Sequence, residues 1–257
     1  SGGLQTAIDP QRNINGALKC AAIRTRELAR TPGRPLELGV QRQKWFCATF
    51  FVANTPGRLR MKLILASSSP RRAEVLRNAG FTFEIRPAPV DETRFPHESA
   101  EAYVERVARA KAQAAAARAR QAGEPAIVIA ADTTVLVDGQ ILAKPEDAAD
   151  ARRMLRLLSG RTHEVLTALA VTSIQTGQES LHVEKTRVEI VKLSEEEIES
   201  YIATGEPFDK AGAYGIQGIA GRFAARINGC YFNVLGMPLS RLWTTLHAMG
   251  WKESAKA

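Results

Sequence analysis

Asp132 stands at the end of the apolar stretch AIVIAA, within the largely apolar run AIVIAADTTVLV, residues 126–137. A carboxylate there is costly to bury unless it meets a metal ion or a strong donor. At the carboxyl end of a sheet strand it would face a ligand crevice; an Asp capping a loop is the plain alternative. Upstream, Ser67, Ser69, Arg71 and Arg72 lie where an apolar strand hands over to a helix. A helix N-terminus offers unpaired N–H groups and partial positive charge, and arginine adds forked donors, so this set suits phosphate. Taken alone it also fits an N-cap followed by two solvated arginines. Asp91 and Glu92 form a carboxylate pair of the kind that holds Mg²⁺ beside a triphosphate, or else a solvated acidic turn. Lys144 leaves the same hairpin as Asp132 and could return to the same crevice, and Lys111 is a charge on a helix. The glycines of DKAGAYGIQGIAG, 209–221, either build a tight turn or bring backbone close to something flat or anionic.

Other chemistries lack their residues. His97, His163, His182 and His247 are scattered, with no His-x-x-x-His pair and no His–Cys cluster, which argues against zinc. Neither a Gly-x-Ser-x-Gly elbow nor a GxxxxGK[ST] loop is present. Cys20, Cys47 and Cys230 are odd in number and far apart, so a disulfide framework is not expected and a reducing, cytoplasmic setting is the default. With no stretch of 18 apolar residues, no membrane-spanning helix is expected. What remains is an enzyme handling phosphate with Arg, Lys and metal-bound carboxylates.

These residues need a scaffold. KLILA, 62–66, reads as a strand, and Ser69 and Pro70 open a helix that Gly80 stops. A second, Ala-rich helix spans 99–122. The strand at 126–137 turns at Asp138-Gly139 into QILAK. A third helix covers 146–158, and 164–174 and 180–193 read as long antiparallel strands. Ser194 to Glu197 is a capping box opening a helix to Ile202. The Gly-rich stretch 205–238 must be loops, turns and short strands, and Pro238 to Met249 forms a closing amphipathic helix. The order implies an α/β fold with a mixed central sheet flanked by helices.

The charge of +8 misleads until it is located. Residues 1–60 hold 10 Lys and Arg against 3 Asp and Glu, while the rest hold 25 against 24. Nucleic acid is therefore not expected to bind the main body. Residues 1–60 read as a basic appendage or a translated upstream region with Met61 the natural start, as an organelle-targeting peptide, or as an arm for an acidic partner such as nucleic acid. A weak helical pattern lies at 14–28 and a short apolar run at 44–53. The chain then divides into 1–60, a domain at 61–250 and a tail at 251–257.

LILASSSPRRAEVL, VDE at 90–92, AADTTVLVDGQILAKP, MLRLLSGRTHEVLTALA, LSEEEIESYIATGEPFDKAGAYGIQG and NVLGMPLSRL occur in this order. Together they closely resemble the Maf family of nucleoside triphosphate pyrophosphatases over residues 62–246. The resemblance implies a mixed sheet with a cleft between two lobes, similar to inosine triphosphate pyrophosphatase. It implies a divalent cation, Mg²⁺ or Mn²⁺, a cytoplasmic setting and often a homodimer. It makes Asp132 the proton acceptor, and Glu92, Lys111 and Lys144 cleft residues, with Glu92 beside Asp132 at the metal. Arg71, Thr133 and Gln217 match the branch acting on dTTP and UTP, with Thr133 and Gln217 expected at the base edge. Cleavage of 7-methyl-GTP or modified nucleotides, and nucleotide binding without turnover, are the alternatives. The 60-residue front and Thr134, where an apolar residue is commoner, depart from the family pattern.

Overall fold

The computed structural model describes residues 61–253. The helical pattern at 14–28 and the apolar run at 44–53 lie outside the described residues.

Among the described residues seven strands form one sheet, in the order β2 (Glu84–Ile85), β1 (Lys62–Leu65), β3 (Ala126–Val137), β5 (Thr162–Ser173), β6 (Glu179–Ile190) and β7 (Ala224–Asn228), with β4 (Gln140–Leu142) on β3. In chain order the elements are β1 (Lys62–Leu65), α1 (Pro70–Asn78), β2 (Glu84–Ile85), α2 (Ala100–Gln121), β3 (Ala126–Val137), β4 (Gln140–Leu142), α3 (Ala148–Leu158), β5 (Thr162–Ser173), β6 (Glu179–Ile190) and α4 (Glu195–Ala203). Three 3₁₀ turns follow, at Glu206–Asp209, Ala211–Ala213 and Ile219–Phe223. Then come β7 (Ala224–Asn228), α5 (Tyr231–Val234) and α6 (Leu239–Ala248). β1 is parallel to β2 and β3, and every other pairing is antiparallel. The expected mixed α/β architecture is therefore present. Among the described residues no helix is long and apolar enough to cross a membrane.

Local chemistry sets most boundaries. Asp138 and Gly139 both take positive φ, as the two-residue hairpin between β3 and β4 requires. Ser194 and Glu197 close a complete capping box on α4. The third helix starts at Ala148, two residues later than its pattern suggests, because Asp147 caps it by accepting from the Asp150 N–H. Ser69 holds the N-cap position of α1 but makes no side-chain capping bond; its own N–H donates to Ser67 Oγ at 3.2 Å.

Side-chain alternation on the strands divides the core between two faces. Ala126, Val128 and Ala130 point toward α2, whose Ala108, Ala112, Ala115, Ala116 and Ala119 are buried against them. This alanine-lined face lets the helix sit close to the sheet. Ile127, Ile129 and Ala131 point the other way, into a cluster with α1 and α6. Farther along the same face, Val135 and Val137 enter a second cluster with α3, α4 and Tyr214. Ile216 packs against both. The resemblance implies a cleft between two lobes; the described residues form one continuous sheet, with two apolar clusters meeting on one face.

His163 lies in the second cluster, 1% exposed, with Nε2 2.8 Å from the Tyr214 hydroxyl and Nδ1 without a partner among the described residues. Burial pushes its pKa down to about 4. An unfolded histidine titrates near 6.5, so below that pH the unfolded chain takes up a proton that the folded chain refuses. Stability therefore falls as pH drops from about 6.5 toward 4, and this residue accounts for about 2 kcal/mol between pH 7 and 5. Urea unfolding of His163→Gln, whose amide still reaches Tyr214, should show an acid-side loss smaller than the parent by that amount. Equal losses in both proteins would contradict a neutral, buried His163.

Candidate functional site

One edge of β3 is interrupted. β1 pairs with residues 126–129 and β4 with residues 135–137. Residues 130–134 between them have a ladder partner only on the β5 side. Asp132 is the middle residue of this gap. It is thus not at the end of its strand, as the apolar run suggests, but in the middle of a long one, just past the carboxyl end of β1. That edge of β3 is left without a strand there because β1 stops at Leu65 and the chain turns away into α1.

Asp132 and Thr133 point to opposite faces. On the α2 side, Asp132 is 6% exposed and its Oδ1 accepts from Lys111 Nζ at 2.9 Å. Lys111 also meets Glu92 Oε1 at 2.9 Å, so one ammonium joins two carboxylates. Burial raises the pKa of Asp132 above its ordinary value, against the opposing pull of the Lys111 charge and hydrogen bond and of Arg72. Tyr103 stands nearby, its hydroxyl pushed up by burial and by the charges of Asp132 and Glu92.

On the α1 side, Thr133 faces Thr167 across the β3–β5 register, and their hydroxyls are 3.0 Å apart. Thr167 Oγ1 donates to the Asn233 carbonyl at 3.0 Å, so the shared proton between the two threonines comes from Thr133. Thr133 Oγ1 in turn accepts from Arg72 Nη2 at 3.0 Å. The same guanidinium donates through Nη1 to Ser67 Oγ at 3.2 Å and through Nε to the Gly236 carbonyl at 2.9 Å. A Cβ at Gly236 would lie 3.0 Å from Thr133 Oγ1 and 3.3 Å from Arg72 Nε, and φ there is +85°, so only glycine fits without displacement. Burial lowers the pKa of Arg72, although a guanidinium stays charged. Three of its five N–H donors are satisfied by the fold, which leaves two.

The remaining expected residues are more open. Arg71 Nη2 donates to the Asp209 carbonyl at 3.2 Å, tying the start of α1 to the Gly-rich segment. Gln217 is exposed, beside Ile216, where the two apolar clusters meet. Its loop wraps the Glu206 carboxylate, which accepts from the Tyr201 hydroxyl and the Ile219 N–H, each at 2.9 Å. A Cβ at Gly218 would run into that carboxylate. Ser69 has its hydroxyl uncommitted to the cap. Lys144 is exposed and takes no part in the Asp132 cluster; among the described residues it makes no hydrogen bond or ion pair. The structure therefore groups Asp132, Lys111 and Glu92 on one face of β3 and Arg72, Thr133 and Ser67 on the other, with Lys144 bonded to neither group.

Thr167, Asn233 and Gly236 escape sequence reasoning as site residues. The signal for Thr167 is cross-strand register, which one strand alone does not carry. Asn233 and Gly236 stand in NVLGMPLSRL, but what they bond to lies 47 to 68 residues earlier for Asn233 and 164 earlier for Gly236.

Two carboxylates on one ammonium suit a hard divalent cation shared with phosphate oxygens. Among the described residues no group of three or more His, Cys, Asp or Glu side chains converges, so a closed protein cage is not the arrangement.

The chain matches the Maf-like protein family over residues 62–249. It is 47% identical over 192 residues to a dTTP/UTP pyrophosphatase of Koribacter versatilis, covering 75% of this chain and 96% of that one. A dTTP/UTP pyrophosphatase of Shewanella denitrificans is 49% identical over 195 residues, 74% of this chain and 96% of its own. That of Shigella sonnei is 48% identical over 184 residues, 72% and 91%. Matched by the family model over most of its length and by relatives at this identity and coverage, the chain belongs to the Maf family.

Proposed function

We propose that this protein is a nucleoside triphosphate pyrophosphatase that hydrolyses dTTP and UTP to the monophosphate and pyrophosphate, cleansing the nucleotide pool. The observation that carries the reading is a buried carboxylate, Asp132, paired with Lys111 and close to Arg72, in a chain spanning nearly the full length of relatives with that name.

The phosphates rest at the N-terminus of α1, where helix N–H groups, the Ser69 hydroxyl and Arg71 favour anionic oxygens. Arg72 offers its two remaining donors, and Lys111 a third N–H beyond the two spent on carboxylates. Lys144, exposed at the end of β4, adds charge once substrate is bound. Glu92 and Asp132 would hold a divalent cation, Mg²⁺ or Mn²⁺, which supplies charge neutralisation on the phosphate oxygens. Asp132 orients a water and takes its proton as the oxygen attacks the α phosphorus. The bond to the bridging oxygen breaks, and pyrophosphate leaves with that electron pair. A carboxylate whose pKa is raised by burial is a better proton acceptor than a solvated one.

Gln217 carries both a donor and an acceptor, which match the O4 and N3–H of uracil and thymine. Thr133, whose proton is committed to Thr167, acts on specificity through the placement of Arg72. Residues 61–250 carry the activity, in the cytoplasm and as a homodimer, and residues 1–60 are dispensable for turnover. A triphosphate panel with and without Mg²⁺, run on the intact chain and on one starting at Met61, tests the reading. Equal release of monophosphate and pyrophosphate from dTTP and UTP is expected in both, and failure of either chain to release pyrophosphate counts against it.

Asp132→Asn should keep the fold, by circular dichroism, and lower kcat by roughly two to four powers of ten. Because Lys111 opposes the rise in the pKa of Asp132, Lys111→Met should move the acid limb of the kcat/KM profile to higher pH. An acid limb that stays in place would separate Asp132 from the titration. Gln217→Glu removes the donor that meets O4 and should lower kcat/KM for UTP by roughly 10- to 100-fold, the cost of leaving one polar group unpaired. An unchanged preference among dTTP, UTP and 7-methyl-GTP would remove Gln217 from base recognition.

A further inference from the structure

Glu92 reaches Lys111 from an awkward place. It lies in the segment between β2 and α2, residues 86–99, which has no regular secondary structure, and its side chain is 53% exposed. An ion pair that exposed is weak and cannot by itself hold a loop in one conformation. The loop is closed instead onto Arg106, which stands on α2, the helix that also carries Lys111.

Arg106 grips Glu98 in a fork, Nε to Oε1 at 2.7 Å and Nη2 to Oε2 at 2.8 Å. Nη2 also donates at 2.9 Å to the carbonyl of Thr93, the residue directly after Glu92. The guanidinium stacks over the Phe95 ring, 4.0 Å from its centroid. Glu98 is only 8% exposed and gathers the rest of the loop: its carboxylate accepts from the Phe95 N–H at 3.1 Å, and its carbonyl accepts from Arg94 Nη2 at 2.9 Å. On the other side of Glu92, Asp91 Oδ1 accepts from the Thr93 N–H at 2.8 Å. Six consecutive residues of irregular chain are thereby referred to one rigid fork on α2.

We propose that Arg106 is a positioning residue: by fixing residues 93–98 to α2 it holds Glu92 against Lys111, and thus at a set distance from Asp132. This rests on the reading that Glu92 serves the reaction. Lysine cannot replace it, because an ammonium has neither the planar fork for Glu98 nor the flat face for Phe95.

The test uses the full chain with Arg106→Met, Arg106→Lys and Glu98→Gln, each alone and combined with Glu92→Gln. Amide hydrogen exchange without nucleotide reads the loop directly. Exchange at residues 93–95 should rise at least roughly tenfold in all three single variants, while α2 keeps its protection. With UTP and Mg²⁺, kcat/KM should fall roughly 10- to 100-fold, the usual size for a group that orients a ligand. In the Glu92→Gln background the same changes should add less than about twofold, since the residue they position is already gone. Unchanged loop exchange, or losses that multiply in the double variants, overturns the proposal. The exchange result stands whether or not UTP is the substrate. If the loop loosens while kcat/KM is untouched, Arg106 holds the loop but Glu92 does not serve the reaction, and the proposal also falls.

Discussion

A carboxylate kept from water in the middle of a sheet is the constraint around which this structure is arranged. Asp132 cannot stay charged there without a cation, and Lys111 supplies one at 2.9 Å. Leaving either partner alone in such a place typically costs 3–5 kcal/mol. The pairing requires that α2 run close enough for a lysine on its inner side to reach the strand. A helix packed through alanines meets that requirement, and buried leucines in their place would push it away. The acid also sits on a stretch of β3 whose β1-side edge is unpaired, because β1 ends where that gap begins.

The two-residue period of the strand does the rest of the sorting. Asp132 goes to the α2 face and Thr133 to the α1 face, so neighbours in sequence enter different networks. Thr133 joins Arg72 to Thr167 and the Asn233 carbonyl in a chain of donors running one way. Arg72 is thereby fastened to the loop after β1, to β3 and to the segment between α5 and α6 at once. A guanidinium held at three points loses little freedom when it meets an anion, which is what preorganised electrostatic stabilisation requires. This holds the buried arginine, Arg72, on the Thr133 side of β3, while its neighbour Arg71 faces the Gly-rich loop that presents Gln217.

The parts differ in rigidity according to what holds them. Asp132, Thr133 and Thr167 ride on long paired strands, and Lys111 on a 22-residue helix. Glu92 and Gln217 ride on irregular chain, and each loop is closed around one buried or half-buried charged group, Glu98 with Arg106 in one case and Glu206 in the other. Loops of this kind suit groups that must meet a ligand after it arrives, and the strands suit groups that must already be in place.

The order of strands and helices, the hairpin at Asp138-Gly139, the capping box at Ser194 and the need of Asp132 for a strong donor were all legible in the sequence, because each depends on local conformational preference or on the cost of one charge in an apolar run. The motif order made the family legible as well. Position along β3 was not legible: an apolar run does not say where its neighbours stop, so Asp132 reads as a strand end and proves to be mid-strand. Nor could a local stretch say which groups Arg71 and Arg72 meet, since the Thr133 hydroxyl and the Asp209 and Gly236 carbonyls arrive from 61, 138 and 164 residues away. Thr167, Gly236 and Arg106 acquire their meaning only from cross-strand register and loop closure. Those are set by the packing of the whole sheet, and no local stretch of sequence contains them.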